Sequence, residues 1–329
     1  MTARKKSVRI LVTGGSGFVG TNLVGHFVSA GAEVVNFDIV PPRNEAHTAY
    51  WKRVDLLNLS QLRTHIARFK PEIVLHMAAR TDLYGSTEDY ATNTVGVSNL
   101  IASLRQGAAP RLVIFASSML VCQLGYVPTH ELDFCPITAY GVSKCQGEKL
   151  VRKEAELFFP WIILRPTSLW GPWFSTPYRD FFSVINRGIY FHPRGKKIRR
   201  SYGFVLNSVR QIERLIDLDG SDLVGRAVYL ADYQPIELRS WAGEIQNCLG
   251  APPVREVPEK LLLLGALLGD FIESVGWRHP PLTSFRLRNL LTEAVYDTSE
   301  LEKTCGPTPY TMKEGVAITC DWIRQRTLS

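Results

Sequence analysis

The 329-residue sequence predicts an α/β fold, with a doubly wound parallel sheet over residues 1–170 and a smaller α+β region over 171–329 folded across its carboxyl edge. Three observations carry that prediction. The stretch "VRILVTGGSGFVGTNLVGHFVSAGAEVVNFD" sets a glycine-rich turn between a β-branched strand and an apolar-periodic helix, then closes on a second strand ending at Asp38. Continuous apolar runs recur at "PEIVLHMAA", "PRLVIFASS" and "WIILRP", as strands covered on both faces require. The turn-rich "TSLWGPWFSTPYRD" then breaks the alternation, and a segment near 204–220 is expected to fold back onto the sheet.

The first of these stretches is a complete βαβ unit. Gly14, Gly17 and Gly20 are spaced Gly-x-x-Gly-x-x-Gly: the early glycines let the backbone turn and approach a pyrophosphate, and the last allows close helix packing. Phe18 and Val19 open the helix whose positive end would meet the phosphates. Asp38 follows Gly20 by 18 residues, placed to accept hydrogen bonds from an adenosine ribose and to repel a 2′-phosphate. The pattern predicts a Rossmann-type domain that binds NAD in preference to NADP, a preference that nearby Arg43 tempers.

Ligands of open α/β sheets bind beyond the carboxyl ends of the strands. Ala78, Ala79, Arg80, Ser117 and Ser118 all fall there, and Pro166 ends the strand after them. Further on, "TAYGVSK" places Tyr140 four residues before Lys144, on one face of a helix. A phenol ionises near pH 10, so it serves as a base at neutral pH only where a cation stabilises the phenolate. Lys144 would be that cation, and Tyr140 a neighbour of Ser118.

Composition narrows the class. With 45% hydrophobic and 21% charged residues, the chain reads as a folded enzyme rather than a disordered one. Six scattered cysteines, without a Cys-x-x-Cys pair or zinc spacing, predict reduced thiols, no metal and a cytoplasmic location. The basic leader lacks the apolar run of a signal peptide. "LLLLGALLG", Leu261 to Gly269, is too short to span a bilayer and reads as a core helix, with interfacial insertion as the other reading. A net charge of +7 comes without any nucleic-acid-binding motif, so the basic run "RGKKIRR" points to a small polyanion rather than to nucleic acid.

In order and spacing, the three glycines, "DLLNL", "HMAA", Asn93, "FASS", "YGVSK" and "LRPTSLWGP" resemble the extended short-chain dehydrogenase/reductase family over roughly the first 175 residues. The tail from "AVYDTSELEK" looks like that family's closing segment. The resemblance implies a catalytic set of Ser118, Tyr140 and Lys144 supported by Asn93, with Lys144 also holding the nicotinamide ribose. Asp55, Leu56, Asn93 and Pro166 join the implied NAD site. Arg200, within "RRSYGFV", matches the arginine that contacts the diphosphate of a nucleotide sugar. Ser168 and Arg288 are further substrate candidates, and a homodimer is implied through the helix bearing Tyr140 and the helix after Thr87.

Departures from the family pattern limit the chemistry. Met119 and Leu120 stand where dehydratase relatives carry acids, which disfavours elimination of water. Cys122 and Gln123 replace a Tyr-Gly pair, and Ser168 replaces a frequent asparagine. The resulting expectation is NAD-dependent epimerisation of a nucleotide-linked sugar through a transient keto-sugar, or its reduction or dehydrogenation, as in polysaccharide biosynthesis. "PPLTSFRLRNLL" resembles the hydroxysteroid branch, which keeps a sterol or lipid 3-hydroxy dehydrogenase as the alternative. A non-catalytic NAD-binding scaffold is the minor one.

Overall fold

A computed structural model describes residues 7–83, 85–107, 109–175, 178–218, 222–276 and 282–327. Strands β1 (Arg9–Thr13), β2 (Glu33–Asp38), β3 (Trp51–Arg53), β4 (Ile73–His76), β5 (Leu112–Ala116) and β6 (Trp161–Pro166) are interleaved with helices α1 (Phe18–Ser29), α2 (Leu59–Phe69), α3 (Ala91–Gly107) and α4 (Ala139–Glu154). The chain continues through β7 (Ser168–Trp170), α5 (Tyr178–Asn186), β8 (Phe191–Pro193), β9 (Arg199–Arg200), β10 (Tyr202–Phe204), α6 (Val205–Asp217) and β11 (Ala227–Leu230). It closes with β12 (Ile236–Glu237), α7 (Leu238–Leu249), β13 (Arg255–Val257), α8 (Glu259–Ser274), α9 (Ser284–Leu291), α10 (Ser299–Cys305) and α11 (Met312–Thr327).

Seven strands form one parallel sheet in the order β11-β6-β5-β4-β1-β2-β3. The chain runs outward from β1 in one direction through β2 and β3, then returns to build the other half from β4. A crevice therefore opens at the carboxyl ends of β1 and β4. There Thr13 pairs with His76, and Thr13 Oγ1 lies 2.7 Å from His76 Nδ1. Burial, helped by the charge of Lys144, holds the His76 pKa down at about 3, so this ring is a neutral hydrogen-bonding post.

Apolar spacing decides what covers each face. Val209, Ile212, Leu215 and Ile216 line one face of α6, and with Leu23, Val24 and Phe27 of α1 they seal one side of the sheet. Leu62 and Ile66 of α2, Leu100, Ile101 and Leu104 of α3, and Val151 of α4 seal the other. Full burial of such a side chain contributes about 1.5–3 kcal/mol. The C-terminal region has its own aromatic core, where the Trp170 ring lies 5.0 Å from Phe204 and 5.3 Å from Trp241. Short pairings of β7 with β10, β9 with β12 and β8 with β13 frame it.

One expectation changes. The Leu261 to Gly269 run does form a helix, α8, but it is no core helix: only Leu262, Ala266 and Gly269 are buried, against α9 and the Leu282–Thr283 segment that leads into it. The other leucines of the run stand exposed, because α9 offers a single buried leucine, Leu287, and too little apolar surface to cover four turns. Of the segment "PPLTSFRLRNLL", Pro280 and Pro281 lie outside the described residues.

Two glycines of the turn, Gly14 and Gly20, tolerate no added carbon. A Cβ on Gly20 would stand 2.1 Å from the Gly14 carbonyl oxygen, and one on Gly14, whose φ is +71°, 2.6 Å from Ala78 Cα. Gly20→Ala should therefore push α1 off the turn and cost about 1–3 kcal/mol, as overpacking does. Urea unfolding checks this through a lowered midpoint at unchanged slope.

Candidate active site

The cofactor half begins where α1 starts. Its N-terminus carries no side-chain cap and no acid in the first turn; Gly17 N donates to the Gly14 carbonyl at 3.0 Å, and the N–H groups of Phe18 and Val19 that follow point the positive helix end at an anion. Asp38 closes the turn from the end of β2, accepting from Ser16 N at 3.0 Å and Val40 N at 3.2 Å. Arg43 donates to the Trp173 carbonyl at 3.0 Å, so its guanidinium is tied there. These residues fit NAD: an uncapped helix end suits a pyrophosphate, and a carboxylate beside the turn suits an unphosphorylated ribose.

Along the rest of the crevice the predicted residues differ in what they present. Ala78 and Ala79 follow β4 half-buried. Arg80 spends its guanidinium on Asp82 at 2.6 Å and Asp89 at 2.8 Å. Asp55 is exposed and caps its own turn through Leu57 N, while Leu56 packs into the core beneath Gly96. Pro166 ends β6 half-buried.

Ser118, Tyr140 and Lys144 come together. The Ser118 hydroxyl accepts from Leu120 N at 3.1 Å and is hydrogen-bonded to Tyr140. Tyr140 is buried in the first turn of α4, which Thr138 caps through Gly141 N at 3.0 Å. Burial lifts its phenol to about 12, and the bond from Ser118 pulls the other way. One turn later Lys144 lies buried with Nζ 6.0 Å from the Tyr140 ring centre, donating to the Ala116 carbonyl at 2.8 Å. Burial lowers its ammonium to about 8, opposed by the charge of Glu148. An ammonium has three donors, so two remain for a ligand.

Asn93 serves this set at one remove. Its side chain accepts from Arg80 N at 2.9 Å and donates to Arg80 O at 3.0 Å and to Ser143 Oγ at 2.9 Å, while Ser143 Oγ donates to the Tyr140 carbonyl at 2.7 Å. It thus ties the loop after β4 to the first turn of α4 and touches neither reacting side chain.

Sequence reasoning missed the support below. Glu148, four residues after Lys144, takes a two-pronged bond from Arg165 of β6, with Nε and Nη2 each 2.8 Å from a carboxylate oxygen. Both side chains are almost wholly buried, at 1% and 2% exposure. Ser117 Oγ donates to the same carboxylate at 2.6 Å, so its hydroxyl is committed to Glu148. Tyr90 was missed too; its ring centre lies 6.0 Å from that of Tyr140, and its hydroxyl is held by the Asp82 carbonyl at 2.7 Å.

On the substrate side Ser168 is buried in β7 and Arg200 in β9, while Arg288 is exposed on α9. Arg200 Nη2 donates to the Asn289 and Leu290 carbonyls, and its buried Nε has no partner. Arg199 pairs with Glu293 at 3.3 Å, and Arg194, Lys196 and Lys197 face solvent.

Residues 10–205 match the model of the NAD dependent epimerase/dehydratase family. The chain belongs to that family. It is 29% identical over 302 residues to a 3-beta-hydroxysteroid dehydrogenase of Mycolicibacterium neoaurum, across 84% of this chain and 79% of the relative. It is 23% identical over 323 residues to the N-acetyl-alpha-D-glucosaminyl-diphospho-ditrans,octacis-undecaprenol 4-epimerase of Escherichia coli O157:H7, across 95% and 94%. The fold matches that of UDP-glucuronic acid 4-epimerase from Bacillus cereus, solved with UDP-glucuronic acid and NAD, at a TM-score of 0.73 and 17% identity over 97% and 100% of the two chains. As a family member the protein is an NAD-dependent enzyme of the extended short-chain dehydrogenase/reductase type.

The buried ammonium costs stability, with a definite pH window. A pKa near 8 against an ordinary 10.5 corresponds to a cost on the order of 3 kcal/mol. That cost is complete below about pH 8, where folded and unfolded chains both carry the proton. It is relieved between about pH 8 and 10.5, where the folded chain sheds the proton first. Lys144→Met should raise the thermal midpoint at pH 7 and lose most of that gain by pH 10.5. A midpoint that falls equally at both pH values would refute the cost.

Proposed function

We propose that the protein interconverts hydroxyl and keto groups on a nucleotide-linked sugar, most simply as an epimerase working through a transient keto-sugar. What carries the proposal is the buried Ser118, Tyr140 and Lys144 set at the carboxyl edge of the sheet, with the buried Arg200 in the region beyond it. NAD, when bound, supplies the hydride acceptor and donor. The uncapped start of α1 and the carboxylate of Asp38 would hold its pyrophosphate and adenosine ribose.

Tyr140 is the group that moves the proton. In the free chain it holds that proton up to about pH 12, so it becomes a base only when a cation stabilises the phenolate. Lys144 supplies that cation from the next turn of the same helix, and its two remaining donors suit a ribose. Leu120 N orients Ser118 by donating to its hydroxyl, and the bond of that hydroxyl to Tyr140 sets the two oxygens side by side, where both can turn to the substrate oxygen. Tyr140 then takes the proton from the sugar hydroxyl and returns it to the keto oxygen. Met119 and Leu120 transfer no protons, which favours epimerisation or redox change over loss of water.

Arg200 is proposed as the diphosphate contact, through the Nε and the edge of its guanidinium that the α9 carbonyls do not use. The exposed Val95 of α3 and Val142 of α4 support pairing of two copies through those helices. The likeness to the Mycolicibacterium dehydrogenase favours a second reading, oxidation of a 3-hydroxysterol by the same three residues.

Tyr140→Phe keeps the ring and removes the mobile proton, so single-turnover hydride transfer should fall by about 10²–10⁴ with NAD still bound. Asp38→Ala should narrow the preference for NAD over NADP in a binding titration. Arg200→Ala should lose about 1.5–3 kcal/mol of nucleotide-sugar binding and leave NAD affinity unchanged. A substrate panel decides between the readings: turnover confined to uncharged sterols, with Arg200→Ala indifferent, would select the second.

A further inference from the structure

The helix that leaves the core exposed carries an apolar surface the proposed chemistry does not use. Leu261, Leu264, Leu267, Leu268, Phe271 and Val275 of α8 and the residue after it are each between 56% and 67% exposed, and Leu263 adds 46%. At about 100° per residue, these side chains spread over roughly 160° of the helix surface. A coiled-coil partner needs only the narrow seam of two positions in seven, so this arc is too broad for one. Isolated exposed leucines need no explanation, but a continuous patch of this kind marks an interaction site.

Its charges are arranged to match. The acids of α8 sit off the arc: Glu259 pairs with Lys196 at 2.9 Å, and Asp270 accepts from Ser284 N at 2.9 Å. That second bond sets the first turn of α9, with Phe285 at 63% exposure, alongside the second half of α8. At the amino end of the helix the basic run meets it. The Glu259 bond and the pairing of β8 with β13 bring exposed Arg194, Lys196 and Lys197 beside exposed Arg255 and Lys260. Glu259 holds Lys196 and Glu256 is held by Arg239, so among the described residues Arg194, Lys197, Arg255 and Lys260 make no ion pair.

We infer that α8 docks this enzyme onto an anionic lipid surface. Its apolar arc would lie in the boundary between headgroups and acyl chains, and the basic cluster would meet the lipid phosphates. A broad apolar face with cations at its rim is the pattern of helices that lie in a bilayer interface. With 16 residues α8 is about 24 Å long, short of the roughly 30 Å hydrocarbon core, so it rests in the plane and does not cross. Nothing in this inference rests on the identity of the substrate.

Flotation of the full chain tests it, with vesicles of equal parts phosphatidylglycerol and phosphatidylcholine against vesicles of phosphatidylcholine alone. The wild type should float with the anionic vesicles and release in about 0.5 M salt. Leu264→Glu/Leu268→Glu and Lys197→Glu/Lys260→Glu should each cut partitioning about tenfold or more, with thermal midpoint and NAD binding unchanged, since all four side chains are exposed. A solvent-sensitive dye on Phe271→Cys should shift to the blue only with anionic vesicles. Wild type that stays in the soluble fraction with both vesicles would overturn the inference. So would an oligomer that dissociates in Leu264→Glu/Leu268→Glu without any vesicle binding, which would give the face to a second copy of the chain.

Discussion

Everything at the proposed reaction centre depends on one buried ion pair, Glu148 with Arg165. A charged pair with 1% and 2% exposure is weak evidence of net stability, since its attraction is offset by the loss of water. Its consequence here is geometric. Arg165 is fixed in β6 between two covered faces, so the two-pronged bond sets how α4 lies over the sheet. Lys144 and Tyr140 ride on the same helix one and two turns before Glu148. The pair therefore sets where the phenol and the ammonium stand relative to Ser118 at the end of β5. Ser117, by bonding the same carboxylate, locks the β5 end into this arrangement.

A second constraint, the crossing of backbones at the ends of β1 and β4, sets the cofactor half. Gly14 passes so close to Ala78 that no Cβ fits, and Gly20 lets α1 begin directly against the turn. Because α1 starts without a cap, its positive end stays available to a ligand instead of being spent on the protein. The two halves meet at Lys144, whose charge adds to burial in lowering the pKa of His76 at the end of β4 and whose ammonium is held by the Ala116 carbonyl of β5. A free charge this deep is costly, and the chain keeps it only where a phenolate and a ribose would use it.

The sequence made much of this legible, and for definite reasons. Glycine spacing between two strands is a backbone requirement, so the βαβ unit could be read from residues 9–38 alone. Strands covered on both faces read as unbroken apolar runs, which exposed β4, β5 and β6. The Glu148–Arg165 pair was not read, because its partners lie on a helix and a strand that only tertiary packing joins. A signal was present all the same: a charge within "WIILRP", in a strand with no face to water, demands a buried counter-charge. Lys144 with Glu148 at one helical turn pointed to where it could come from. The burial of α8 was misread for the opposite reason. Its own hydropathy predicts burial, but burial needs an apolar partner, and the sequence does not show that α9, with Leu287 buried and Leu290 and Leu291 half-buried, covers only one side of it.

The basic run shows how a single stretch can serve two surfaces. Arg200 and Ile198 turn inward while Arg194, Lys196, Lys197 and Arg199 stay in solvent. The outward cations can do little for an anion in the crevice, so the net charge of +7 is poor evidence for the charge of the substrate. One link connects the two surfaces. The carbonyls of Asn289 and Leu290 that hold Arg200 belong to α9, the same helix that packs on Leu262 and Ala266 of α8. The outward apolar face and the buried arginine thus share one support, α9.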